Sequence, residues 1–130
     1  MSTESDYLRA LKATLGPKGW SQDPDILAPH LTEWRDKYFG HTPILLLPQT
    51  TAQVSEAVKI CSQHGVPIMA QGGNTGLVGG NTPQGEVLLS TRRLKAVRAV
   101  NPAANMMIAE AGVTLEVAQQ AAQTAGRKFP

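Results

Sequence analysis

Apolar positions recur at helical spacing near the start of the chain. Tyr7, Leu8, Leu11 and Leu15 share one side of a segment stopped by Gly16-Pro17, and Thr3 followed by Asp6 has the form of a capping box. An amphipathic helix is predicted there. From Gly19 to Gly40 the pattern weakens: Asp23-Pro24-Asp25 marks a turn or helix start, and Ile26, Leu27, Leu31, Trp34 and Tyr38 trace a broken helical segment. Ile44-Leu45-Leu46-Leu47, an apolar run between Pro43 and Pro48, fits a strand covered on both faces. Thr50 with Gln53 repeats the capping-box pattern, and Val54, Ala57, Val58 and Cys61 mark the buried face of a helix running to His64 and ended by Gly65. With Val66 to Ala70 as a strand, Ile44 to Ala70 forms a β-α-β unit whose right-handed crossover makes its strands parallel. Val87 to Leu89, Ala96 to Val100 and Met106 to Ala109 predict a meander of three short strands, with Arg92 to Lys95 a tight connection and Asn101-Pro102-Ala103-Ala104-Asn105 a turn. Thr114 then caps a closing helix that buries Leu115, Ala118, Ala122 and Ala125 and ends at Gly126. The predicted class is α+β.

Between the strands at 66–70 and 87–89 lies Gln71-Gly72-Gly73-Asn74-Thr75-Gly76-Leu77-Val78-Gly79-Gly80, which holds five of the chain's twelve glycines and no formal charge. Glycine serves where backbone takes positive φ or comes very close to something. A hairpin needs one or two such positions, so five point to a loop that wraps a ligand. No Lys lies between Gln71 and Gly85, which removes the Walker phosphate loop, and the glycine spacing does not fit G-x-G-x-x-G. What remains is a neutral nest of N–H groups able to hold an anion without side-chain cations. The bland alternative is an unliganded surface loop, in which Asn74 and Thr75 are turn formers bonding their own backbone.

Composition narrows the classes further. The chain has 130 residues, enough for one core, and a net charge of +2 with its basic residues dispersed, so neither nucleic acid nor a membrane face is expected as a partner. One cysteine, Cys61, and the absence of a long apolar run fit a soluble intracellular, cytoplasmic protein. His30, His41 and His64 lack metal-ligand spacing and read as structural, no metal site is expected, and Cys61 reads as inert packing. Trp34-Arg35-Asp36 reads as an amphipathic segment with Trp34 docked on the core, and Arg92 and Arg93 as solvated.

Three stretches in fixed order, Thr51-Ala52-Gln53-Val54-Ser55-Glu56-Ala57-Val58, Gly72-Gly73-Asn74-Thr75-Gly76-Leu77-Val78-Gly79-Gly80 and Ala111-Gly112-Val113-Thr114-Leu115, resemble the FAD-linked oxidases of the vanillyl-alcohol oxidase type, which carry a PCMH-type FAD-binding domain. Within them the likeness is to the D-2-hydroxyacid branch, which includes D-2-hydroxyglutarate dehydrogenase, D-lactate dehydrogenase and the glycolate oxidase catalytic subunit, and it runs from about Trp20 to Pro130. The resemblance implies that Gln71, Gly72, Gly73, Asn74, Thr75, Gly76, Leu77, Gly79 and Gly80 cradle the FAD pyrophosphate and that Ala111, Gly112 and Val113 lie along the cofactor. Pro48 and Pro130 match positions near the adenine end and the flavin side. Gly112 could also be only a strand-to-helix turn, although its N–H would sit near a helix start suited to an anion.

Family members pass a hydride from the hydroxyl-bearing carbon of a 2-hydroxy acid to the flavin, which then hands its electrons to an acceptor that this sequence does not specify. Relatives with covalent FAD often carry His after the first glycine pair; Asn74 stands there, so non-covalent FAD is expected. The likeness further implies an N-terminal helical extension over 1–40, an incomplete FAD-binding domain over 41–130, and catalytic and metal-binding residues beyond Pro130. A stand-alone phosphate-binding module and a non-functional truncation are the competing readings.

Overall fold

The computed structural model describes residues 4–32, 40–73 and 82–130. Helix α1 (Asp6–Leu15) ends at Gly16, whose φ of 74° needs no Cβ and whose N–H bonds Lys12 O at 3.0 Å. Its N-cap is Ser5, not Thr3 of the expected capping box, which lies outside the described residues; Asp6 pairs instead with Arg9 one turn on. Strand β1 (Trp20–Ser21) is too short to show in the hydrophobic pattern. Asp23 caps α2 (Pro24–Leu31) by accepting from Asp25 N at 2.9 Å, with Pro24 in the first turn, where its missing N–H costs nothing. The rest of the broken segment expected to follow, with Trp34 and Tyr38, lies outside the described residues.

Strand β2 (Leu45–Leu46) leads into α3 (Thr51–Gln63), whose N-cap Thr50 accepts from Gln53 N at 3.1 Å. Gln53 reaches back past the cap to Gln49 N at 2.7 Å, a displaced form of the expected box. Then come β3 (Ile68–Gln71), β4 (Val87–Ser90), β5 (Val97–Asn101), a 3-10 turn at Pro102–Ala104, β6 (Met106–Ala109) and α4 (Leu115–Thr124).

The strands do not form the predicted meander. β4 lies between β2 and β3 and runs parallel to both, giving the order β1-β2-β4-β3, while β5 and β6 pair antiparallel as a separate ribbon. Local hydrophobicity cannot distinguish the two arrangements, because a strand buried on both faces reads alike in either. All four residues of β4 are buried.

Alternate positions of this sheet serve two cores. Ile44, Leu46, Val87 and Leu89 pack with Leu11 and Leu15 of α1 and Ala57 and Cys61 of α3. Leu45, Leu47 and Leu88 point the other way, onto Leu27 of α2. That explains the unbroken Ile44–Leu47 run, since both faces are roofed by helices. On the helices two positions differ from expectation: Val58 and Leu115, predicted buried, are 46% and 58% exposed. Ile60 takes the place of Val58 against the core, and on α4 burial narrows to the small residues Ala118 and Ala122.

Replacing fully buried Leu46 by Ala removes contacts with α1 and α3 together. It is expected to cost about 2–5 kcal/mol, read as a lowered denaturant midpoint with unchanged slope.

Candidate functional site

Gln71 closes β3 where the glycine-rich stretch begins. Its side chain turns inward: Oε1 lies 2.7 Å from Nδ1 of buried His30, and Nε2 donates to His30 O at 2.8 Å. This reciprocal pair fixes the end of β3 to α2, so the Gln71 amide is turned to the interior and the His30 ring nitrogen Nδ1 carries the proton. His30 is structural, as the sequence suggested, and Gln71 holds the mouth of the loop from behind.

Because β3 and β4 are parallel, they are joined by a crossover and not by a hairpin, and the stretch 72–86 between them exceeds the roughly dozen residues that such a connection needs. Its far end is strapped by His41, whose N–H bonds Pro83 O at 3.0 Å and whose carbonyl accepts from Gly85 N at 2.9 Å. At Gly85 the φ of 101° favours glycine. Asn74, Thr75, Gly76, Leu77, Gly79 and Gly80 lie outside the described residues.

The near end opens on a cleft of about 590 Å³ lined by Gly72, Gly73, Thr91, Ala111, Gly112 and Val113. Two stretches forty residues apart in sequence are thus brought to one wall. Gly72 lacks positive φ, and among the described residues a Cβ built on it would meet only Thr91 Oγ1, at 3.9 Å. Among the described residues neither backbone strain nor a close neighbour requires glycine there, and the position faces the open space of the cleft. Gly112 is the opposite case. A Cβ on it would fall 1.9 Å from Thr91 O, and its N–H bonds Leu94 O at 2.7 Å, while Val113 N bonds Glu110 O at 3.0 Å. The expectation that the Gly112 amide faces an anion is therefore corrected: that donor is already taken, and glycine is required by the close packing of two turns.

Thr91 escaped the sequence reading. Its N–H bonds Gln71 O at 3.0 Å and its hydroxyl lies 3.4 Å from Ala111 O, so it joins the two walls. Arg93, read as solvated, is a clamp: Nη1 donates to Lys18 O at 2.8 Å and Leu47 O at 3.0 Å, and Nη2 to Gln49 Oε1 at 3.0 Å. Pro48 is fully buried and Pro130 is exposed, and neither lines this cleft. Burial pushes the Cys61 thiol pKa up, which keeps it protonated and inert. Among the described residues no cluster of His, Cys, Asp or Glu could hold a metal ion, and no helix is long and apolar enough to cross a membrane.

Glu110 sets the ribbon against the cleft wall. Its carboxylate accepts from Ala96 N at 2.9 Å and from Arg98 Nη2 at 2.8 Å, and Arg98 also reaches Thr51 Oγ1 at 2.9 Å at the start of α3. The Ala96 N–H first and the Arg98 guanidinium second hold this carboxyl below its ordinary pKa.

The stretch 42–130 matches the family described as "FAD binding domain". The chain is 33% identical over 116 residues to D-2-hydroxyglutarate dehydrogenase, mitochondrial, of Arabidopsis thaliana, covering 88% of this chain and 21% of that protein. It is 37% identical over 111 residues to a Schizosaccharomyces pombe mitochondrial protein assigned by name to the D-lactate dehydrogenases, covering 85% and 21%. The chain spans about a fifth of the length of these curated relatives. The structure of p-cresol methylhydroxylase with substrate bound superposes with a TM-score of 0.78 at 22% identity, over 92% of this chain and 24% of that one, and shows the fold to be the expected α+β PCMH type.

Gly112→Ala is expected to cost about 2 kcal/mol or more, because backbone carbonyls cannot withdraw as a flexible side chain could; a thermal melt checks this. A depressed carboxylate pKa stabilises the fold above the ordinary carboxylate value, and the contribution is lost as pH falls through the folded one. Glu110→Gln should therefore lower the melting temperature near pH 7, with the gap to wild type narrowing as the pH falls below the ordinary carboxylate range.

Proposed function

The chain belongs to the FAD-binding domain family, and from that premise we propose that it is the FAD-binding part of an oxidoreductase that converts a D-2-hydroxy acid to the 2-oxo acid. The cofactor of the family is FAD, and the cleft fits it: Gly72 and Gly73 stand on an open side of the cleft, facing a wall fixed by Thr91 and Gly112. The meeting of Gly72 and Gly73 with Ala111, Gly112 and Val113 in one cleft is the observation that carries the reading. D-2-hydroxyglutarate and D-lactate are favoured as substrates by the names of the relatives, and glycolate by the sequence resemblance alone.

When bound, FAD supplies the hydride-accepting ring. The residues of this chain hold and orient it. Gly72 and Gly73, with Asn74, Thr75, Gly76, Leu77, Gly79 and Gly80, cradle the pyrophosphate, and Ala111, Gly112 and Val113 form the wall along the cofactor. Gln71 positions the loop through His30. Pro48 at the adenine end and Pro130 at the flavin side rest on the resemblance. Asn74 makes attachment non-covalent, since an amide cannot bond the ring as imidazole does. Residues 41–130 act as the cofactor domain, with 1–40 as an N-terminal extension that lends α1 to the core. Substrate contacts are assigned to the remaining length of the relatives, and the reduced cofactor passes its electrons to a separate acceptor. A cytoplasmic location is the reading from composition, set against relatives named as mitochondrial.

Gly72→Val in the complete protein should strip most of the flavin absorbance, while its flavin-free form melts within a few degrees of flavin-free wild type, since among the described residues only Thr91 Oγ1 comes within 4 Å of the new Cβ. Full flavin content in that variant would remove the cradle assignment. In wild type, acid precipitation should release FAD into the supernatant; yellow pellet protein would mean covalent attachment.

A further inference from the structure

The glycine-rich stretch read as a neutral anion nest, but the fold adds charge to it. Arg92 and Lys95 line the same cleft. Each other described arginine is tied down: Arg9 to Asp6, Arg93 to two carbonyls and Gln49, Arg98 to Glu110, Arg127 to Pro102 O and Asn105. The Arg92 side chain meets no acceptor among the described residues, and neither does Lys95.

Their backbone is nevertheless fixed. Arg92 N bonds Ser90 Oγ at 3.3 Å, Leu94 N bonds Thr91 O at 2.8 Å, and the same turn presses on Gly112. Glu110, close by in sequence to the cleft wall, is engaged by Arg98 and Ala96, and Glu116 on the first turn of α4 pairs with neither cation. The amides of Gly112 and Val113 are already donating within the protein. Donors for an anion on that side must then come from side chains.

We propose that Arg92 and Lys95 grip the diphosphate of the ligand across the cleft from Gly72 and Gly73, so that the site recognises a nucleoside diphosphate moiety in its own right. This deepens the flavin reading and rests on it for the ligand's identity. Charge-assisted contacts of this kind are strong in a partly enclosed cleft and weaken with salt.

The test uses the complete protein freed of flavin, titrated calorimetrically with ADP, inorganic pyrophosphate and adenosine at about 0.05 and about 0.5 M salt. Expected are binding of ADP and pyrophosphate that weakens with salt, and at least about tenfold loss of both in the Arg92→Gln/Lys95→Gln double variant, with adenosine unaffected. Arg92→Lys should keep most of the affinity. If the double variant melts early, Lys95→Gln alone carries the same readout. Unchanged FAD and ADP affinity in the variants would overturn the inference and leave the flavin reading standing. Charge-dependent ADP binding by a wild-type protein that takes up no FAD would do the reverse.

Discussion

Strand β4 is the constraint on which the rest depends. It bonds on both edges to parallel strands, its four side chains are all buried, and they divide between two helix-covered faces. A central parallel strand cannot be reached by a tight turn. The chain leaves β3 at Gln71 and enters β4 at Val87, past the bonds of His41 to Pro83 and Gly85, so a connection longer than any hairpin turn joins them. The same strand delivers Thr91, Arg92 and Lys95 to the place the crossover departs from. Core topology and the position of the cleft are therefore one fact.

Two glycines on the cleft illustrate how one residue type answers to different physics. At Gly112 the protein itself forbids a side chain, since Thr91 O would lie 1.9 Å from it. At Gly72 no described residue comes nearer than Thr91 Oγ1 at 3.9 Å, and the position faces the open cleft.

Much of this was legible in the sequence, and the limits have physical causes. Helix α3 was readable because Thr50 and Gln53 cap it locally, and α4 because Thr114 does. The apolar run at 44–47 disclosed a strand covered twice. Strand order was not legible: Val87–Leu89 has the same composition whether it pairs with its neighbour in sequence or inserts between β2 and β3. Nor was β1, because two residues carry no period. In the candidate site, the pairing of Gly72 with Ala111–Val113 came only from resemblance, and Thr91, an ordinary threonine after a strand, carried no signal until its bonds to Gln71 and proximity to Ala111 were visible. The inward turn of the Gln71 amide was not legible either, since a polar residue at a loop mouth gives no sign that it faces His30.

The adjacent arginines show that side-chain charge is a poor guide to how freely a position can vary. Arg93 spans three acceptors on two segments that flank the short β1–β2 ladder, extending by a side chain what two-residue strands cannot bond by themselves. A lysine there would keep the charge but lose the planar fork that meets several oxygens at once. Position 93 is therefore narrow in chemical tolerance although it sits in a loop, while the side chain of its neighbour at 92 makes no such bonds among the described residues.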